Sequence, residues 1–232
     1  MTKVEFNSKT HQYFIDDELY PSVTQILSIL NKPALIYWAS NITADYILNH
    51  LEEIKNCEIN PNKTFTAAKR EHQSLKEKAA DIGTQTHRLI EKYLKGQSYE
   101  DLLNENTFKQ FNAFKKWLEN KNFKLIESER IVYSKKYKVA GTADIIAWLN
   151  EKAYLIDLKT SNSVYKEMIL QIAAYKFMWQ EVTLTTLDGI GILRLDKVTG
   201  EPEWKEYTNK EYQKHIKAFK LLTKYYHAMN EK

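Results

Sequence analysis

The sequence predicts an α/β protein: a mixed β-sheet flanked by helices, with a helical elaboration at its N-terminal end. Three observations carry that expectation. Helical patterns fill most of the first 120 residues, an antiparallel meander begins near Phe123, and a later helix crosses to a further strand. That order places helices on the faces of a sheet.

Each element follows from local patterning. FNSKTHQYFIDDELY reads as a small hairpin with Asp16-Asp17 as its turn. Ser22-Val-Thr-Gln25 has capping-box form and starts a helix. Pro33 ends or restarts that helix, and a second one runs from Leu35 to about Lys55. After the loop NCEINPNK, a helical pattern extends from about Thr66 to Leu94, with Gly96 as its stop and Gly83 as a break or a close contact. A helix over Glu105 to Lys121 precedes the strand Phe123 to Tyr133, a Lys-Lys-Tyr-Lys turn, and a hairpin of Val139 to Trp148 with Ala153 to Thr160. The helix Val164 to Gln180, the strands Gly189 to Leu195 and Glu203 to Tyr207, and a terminal helix complete the chain.

At 232 residues the chain fits one domain: an N-terminal region over 1–80, a core over 81–208 and a C-terminal helix over 209–232. A hydrophobic share of 43% with 28% charged residues suits a soluble globular protein and argues against disordered or fibrous classes. The polar opening MTKVEFNSKTHQYF has no apolar stretch of signal-peptide type, and no segment is long and apolar enough for a bilayer. The expectation is a cytoplasmic protein, of a bacterial or phage-infected cell, without membrane partners. A single cysteine, Cys57, excludes an intramolecular disulfide framework and a four-cysteine zinc or iron–sulfur site. Net charge of +4 is compatible with nucleic acid but favours it only weakly. On the last helix Lys210, Lys214, Lys217 and Lys224 fall opposite Tyr212, Ile216, Phe219 and Tyr226. A solvated lysine face and a phosphate-tracking strip are both open readings.

The chemistry concentrates in VAGTADIIAWLNEKAYLIDLKTS, residues 139–161. With Asn150 and Glu151 as the loop, Leu149 faces Lys152 and the register sets Asp144 opposite Asp157. Opposed residues share a face with Cβ atoms roughly 5 Å apart, and Lys159 points to the same side. Two opposed carboxylates repel and hold a proton unless a cation neutralises them. Oxygen ligands at this spacing suit a hard divalent ion such as Mg²⁺. Lys159 would then orient or activate a nucleophile and offset charge on a phosphate. The competing reading is a buried Asp–Lys ion pair with the second aspartate at a strand end.

Gly141-Thr-Ala-Asp144, Ile156-Asp157-Leu158-Lys159-Thr160 and Gln171-Ile-Ala-Ala-Tyr175, preceded by Gly83-Thr-Gln-Thr-His87-Arg-Leu-Ile-Glu91, together resemble the core of the PD-(D/E)XK nuclease superfamily. The similarity is to the RecB-type exonuclease branch, in its phage and mitochondrial genome-maintenance forms. The resemblance implies a restriction-endonuclease-like core. It also implies that His87, Asp144 and Asp157, with the backbone carbonyl of Leu158, hold one or two Mg²⁺ or Mn²⁺ ions while Lys159 assists the attacking water. Glu129 aligns with an acidic residue that binds a second ion or a water, or is an exposed strand carboxylate. Gln171 and Tyr175, on one helical face, match the family's Q-x-x-x-Y pair at the active site or DNA, with a core role open for Tyr175. Glu91 orients the site or is a surface residue. Many relatives hold an iron–sulfur cluster on four cysteines, which this chain lacks. The segment from Tyr20 to Trp38 resembles the N-terminal helical region of the same relatives, so Ser22, Thr24, Tyr37 and Trp38 are candidate DNA contacts, or helical core. The expected activity is metal-dependent hydrolysis of DNA from a free end or single strand. A structure-specific endonuclease and an inactive nucleic-acid-binding module are the alternatives.

Overall fold

The computed structural model describes residues 2–56 and 58–230, so Cys57 lies outside the described residues. The chain divides into two compact units, Leu30–Thr84 and Met1–Ile29 with Gln85–Lys232. Elements are numbered along the chain: β1 (Val4–Asn7), β2 (Gln12–Ile15), β3 (Glu18–Tyr20), α1 (Val23–Leu27), α2 (Pro33–Asn49), α3 (Leu51–Lys55) and α4 (Pro61–Leu94). The remainder are α5 (Phe108–Leu118), β4 (Phe123–Ser134), β5 (Val139–Leu149), β6 (Lys152–Lys159), α6 (Lys166–Thr183), β7 (Gly189–Leu195), β8 (Pro202–Tyr207) and α7 (Asn209–Asn230).

The unit Leu30–Thr84 contains α2, α3 and the first part of α4. Pro33 occupies the first turn of α2, where its missing N–H costs nothing. The expected single helix to Lys55 is broken at His50, whose backbone leaves helical geometry while its ring stacks on Tyr46 at 4.4 Å. Helix α4 begins five residues earlier than expected. Asn60 caps it through Oδ1, which accepts from the Asn62 and Lys63 amides at 3.0 and 3.3 Å, and Pro61 follows in the first turn. The helix runs through Gly83 without interruption and ends at Leu94, and Gly96 just beyond takes a φ of +65° that permits the reversal.

In the other unit, the N-terminal hairpin is a three-stranded sheet, β1-β2-β3, with Asp16 and Asp17 at positive φ in its second turn. Tyr13, Ile15 and Tyr20 pack from it onto Ala140, Ile131 and Tyr133. The main sheet has five strands in the order β4-β5-β6-β7-β8, antiparallel except for the parallel pair β6–β7 that α6 connects. This is the mixed sheet flanked by helices that the sequence predicts. One face carries Ile145, Ala147 and Leu149 of β5 and Tyr154, Ile156 and Leu158 of β6, which pack with Leu89 and Ile90 of α4 and Phe111, Phe114 and Trp117 of α5. Helix α6 covers the other face and packs on α7, which buries Tyr212, Ile216 and Phe219. Central strands buried on both faces need near-continuous apolar runs. That makes Asp144 and Asp157 exceptional in β5 and β6.

Candidate active site

The β5–β6 hairpin has the predicted register. Asn150 and Glu151 both take positive φ, 49° and 68°, as a two-residue loop of the primed type requires, and Leu149 pairs with Lys152. Pairing continues to Ile145↔Ile156 and stops one residue short of Asp144 and Asp157. There the Asp144 carboxylate takes over part of the ladder: Oδ2 accepts the Leu158 amide at 2.7 Å. The strands part at that point, and the polar groups gather in the opening.

Three elements supply them. His87, from α4, places Nδ1 3.7 Å from Asp144 Oδ1 and forms a hydrogen bond with the backbone of Leu158. Glu129, from β4, sits at a φ of +50° beside the register shift that follows Leu125. A left-handed glutamate inside a strand is strained. Its effect is to bring one donor atom each from His87, Glu129 and Asp144 within 4.8 Å of one another. Depth then increases inward: side-chain exposure is 27% at His87, 13% at Asp144 and 1% at Asp157. Among the described residues no threefold group of that spacing includes Asp157. Its Oδ2 lies 2.5 Å from Lys159 Nζ instead, and no hydrogen bond reaches its buried Oδ1.

Electrostatics follow from that crowding. Loss of hydration, with Asp144 beside it, pushes the Glu129 carboxyl up to about 8. Burial pushes Asp157 up to about 7, against the opposing pull of the Lys159 ammonium. Burial alone would lower Lys159, but the Asp157 and Asp144 carboxylates outweigh it and hold the ammonium above its usual range. Lys159 therefore remains an ammonium beside the two carboxylates. Burial lowers His87, leaving a neutral imidazole, the form that ligates metals.

The donor set fits a divalent ion. It offers one imidazole nitrogen and carboxylate oxygens within a few ångströms, a combination able to hold a divalent metal. The raised carboxyls and the orphaned Asp157 oxygen mark positive charge as what the cluster lacks.

The roof of the site comes from α6. Gln171 Nε2 donates to the Tyr175 hydroxyl at 2.9 Å, and burial pushes that phenol well above its ordinary value, so it stays protonated. A link that sequence reasoning missed joins the two motifs. The Tyr175 ring lies on Gly141, and a Cβ there would stand 2.5 Å from Cε1. A second missed contributor is Tyr13 of β2, whose hydroxyl shares a 2.9 Å hydrogen bond with Thr142 Oγ1 and whose charge environment includes Glu129 and Asp144. Tyr13 and Thr142 are 129 positions apart, and the alternation that buries Tyr13 in its hairpin carries no sign of its distant partner. Ser22 and Thr24 lie at α1. The Ser22 hydroxyl accepts the Gln25 amide at 3.0 Å and shares a 2.9 Å hydrogen bond with Thr24, so the serine is engaged in capping. Trp38 belongs to α2 in the other unit, edge-on to His72 at 6.4 Å, and Tyr37 is exposed there. Glu91 ion-pairs with Lys95 at 2.5 Å, and both bear on Glu129.

No helix of the described residues is long and apolar enough to cross a membrane. No protein-family model and no curated protein matches the chain. Among solved structures it is similar to a crystal structure of a protein from Eubacterium rectale provisionally named an exonuclease, at 12% identity and a TM-score of 0.42 over 62% of this chain. It is also similar to the crystal structure of SSO0001, at 17% identity and a TM-score of 0.28 over 49% of this chain. The chain spans 64% and 57% of the lengths of those two. Scores this low identify neither a shared activity nor a shared site.

Proposed function

We propose that the protein is a metal-dependent deoxyribonuclease that degrades DNA from a free end. The observation that carries this reading is the convergence of His87, Glu129 and Asp144 beside the Asp157–Lys159 pair, where β5 and β6 part. The resemblance of the same residues to the PD-(D/E)XK motifs supports it.

A divalent ion, when bound, supplies Lewis-acid polarisation of the phosphodiester and a more acidic water. His87, Glu129 and Asp144 would hold it, with Asp157 and the Leu158 carbonyl as further ligands. Lys159 keeps its proton, orients the attacking water and offsets negative charge building on the phosphate. Asp157 fixes the ammonium in place. Gln171 and Tyr175 stand over the site as neutral donors for a phosphate oxygen.

Where such a centre cuts is not set by the fold. The test uses an end-labelled linear strand and a covalently closed circle of equal length, each in Mg²⁺ and in EDTA. The expected result is loss of the linear label in Mg²⁺ only, with the circle intact. Efficient cutting of the circle would replace the exonuclease reading by an endonuclease on the same centre.

A further inference from the structure

Helix α7 carries a ladder of lysines with no acidic partners. Lys214, Lys217, Lys220 and Lys224 follow one another at spacings of three and four, and no Asp or Glu occurs from Tyr212 to Asn230. Like charges at these spacings destabilise a helix, and a merely solvated face relieves that by interleaving carboxylates. Among the described residues Lys217, Lys220 and Lys224 form no ion pair.

The lysines are also arranged. Lys217, Lys220 and Lys224 line an open cleft of about 340 Å³ with Tyr137 and Gln213. The Lys220 ammonium is held over two rings, 5.3 Å from the Tyr137 centroid and 4.7 Å from that of Phe177. His227 Nε2 lies 2.9 Å from the Tyr137 carbonyl and ties the β4–β5 turn to α7. Lys136 adds a further exposed charge on that turn. A cleft with three lysines, one of them held over two rings, an aromatic wall and no carboxylate has the composition of a polyphosphate contact.

Its position relates it to the catalytic cluster. Tyr137 precedes Asp144 by seven positions and packs on Phe177 of α6, the helix whose Tyr175 covers Gly141. The turn that carries Tyr137 leads directly into β5, the strand that carries Asp144.

We propose that the cleft between α7 and the β4–β5 turn binds the phosphodiester backbone of the DNA substrate away from the bond that is cut. The proposal rests on the nuclease reading for the identity of its ligand.

The test compares the full-length protein with Lys217→Gln/Lys224→Gln, the charge-preserving Lys217→Arg/Lys224→Arg, and Lys124→Gln/Lys152→Gln, two exposed lysines removed elsewhere. Affinity for a labelled single-stranded 20-mer is measured by anisotropy in EDTA across a salt series, and cleavage of a dinucleotide in Mg²⁺ is followed separately. The glutamine pair at the cleft is expected to bind the 20-mer about tenfold or more weakly at low salt. Its log–log salt slope should be shallower by about 1.4, the share of two phosphate contacts. Dinucleotide kcat/KM stays unchanged, and the arginine pair and the control pair bind as the parent does. Equal 20-mer affinities for the cleft and control glutamine pairs would overturn the cleft, as would an arginine pair as weak as the glutamine pair. If the parent cuts neither substrate but the cleft pair still loses affinity, the nuclease reading fails and the cleft stands. Cleavage with no affinity loss gives the reverse.

Discussion

Replacing Asp144 with asparagine is expected to lower the rate of DNA hydrolysis roughly 10²–10³-fold or more, the scale set by losing one fixed charge-stabilising group, while DNA affinity changes little. The substitution removes a negative ligand but keeps an oxygen able to accept the Leu158 amide that Asp144 now holds at 2.7 Å. Stability should therefore survive. Asp157→Asn should lose activity to a similar degree, because the Lys159 ammonium would lose the carboxylate 2.5 Å away that fixes it. Single-turnover cleavage and urea unfolding of both variants separate lost activity from lost stability. An Asp144→Asn enzyme within tenfold of the parent would remove Asp144 from the centre.

The second large effect is expected at a residue with no chemistry of its own. Gly141→Ala sets a methyl 2.5 Å from Tyr175 Cε1 and 3.3 Å from Cδ1 and Cζ. Strand and ring cannot both stay where they are. Overpacking of this kind costs about 1–3 kcal/mol, and a displaced ring loses the Gln171 hydrogen bond over the site. Turnover is expected to drop about tenfold, with Tm lower by about 2–10 °C on the usual scaling for this chain length. Because the penalty comes from one contact, it should shrink when the ring is removed. Urea unfolding of Gly141→Ala, Tyr175→Ala and the double variant should give a strongly non-additive cycle. Strict additivity would mean that the ring does not read the glycine.

Much of this arrangement is legible in the sequence because it depends on short-range rules. The Asn150-Glu151 loop sets the register that aligns Asp144 with Asp157, and the alternation of β5 and β6 sets their face. Elements with clear caps were also readable, although the start of α4 was placed at Thr66 when Asn60-Pro61 already marked it. What was not legible depends on strain or on distant contacts. Glu129 is a candidate ligand through the family resemblance, but the left-handed backbone at which it joins His87 and Asp144 is one that no propensity assigns to glutamate. Asp157 lies where the register sets it, and its pairing with Lys159 at 2.5 Å is the ion pair that the sequence also allows. Gly141 read as a motif letter, and only the Tyr175 ring explains it.

That the cluster at the parting of β5 and β6 is a divalent-ion centre is tested most directly by thermal unfolding in Mn²⁺ and in EDTA at pH 6 and pH 8.5. Glu129 and Asp157 are raised to about 8 and about 7 from unfolded values of 4.5 and 3.8. Between roughly pH 4 and 8 the metal-free native state thus binds more protons than the unfolded chain, and stability falls as pH rises through that window. An ion that binds the ionised carboxylates offsets the loss, and protons compete with it at the lower pH. At a hundredfold excess over Kd an ion adds about 2.7 kcal/mol, which corresponds to about 5–10 °C in Tm for a chain of this size. The expected result is a Mn²⁺-dependent rise of that order at pH 8.5, smaller at pH 6, and absent from Asp144→Asn and Glu129→Gln. A Tm indifferent to Mn²⁺ at both pH values, or an equal rise in the two variants, would contradict the metal centre.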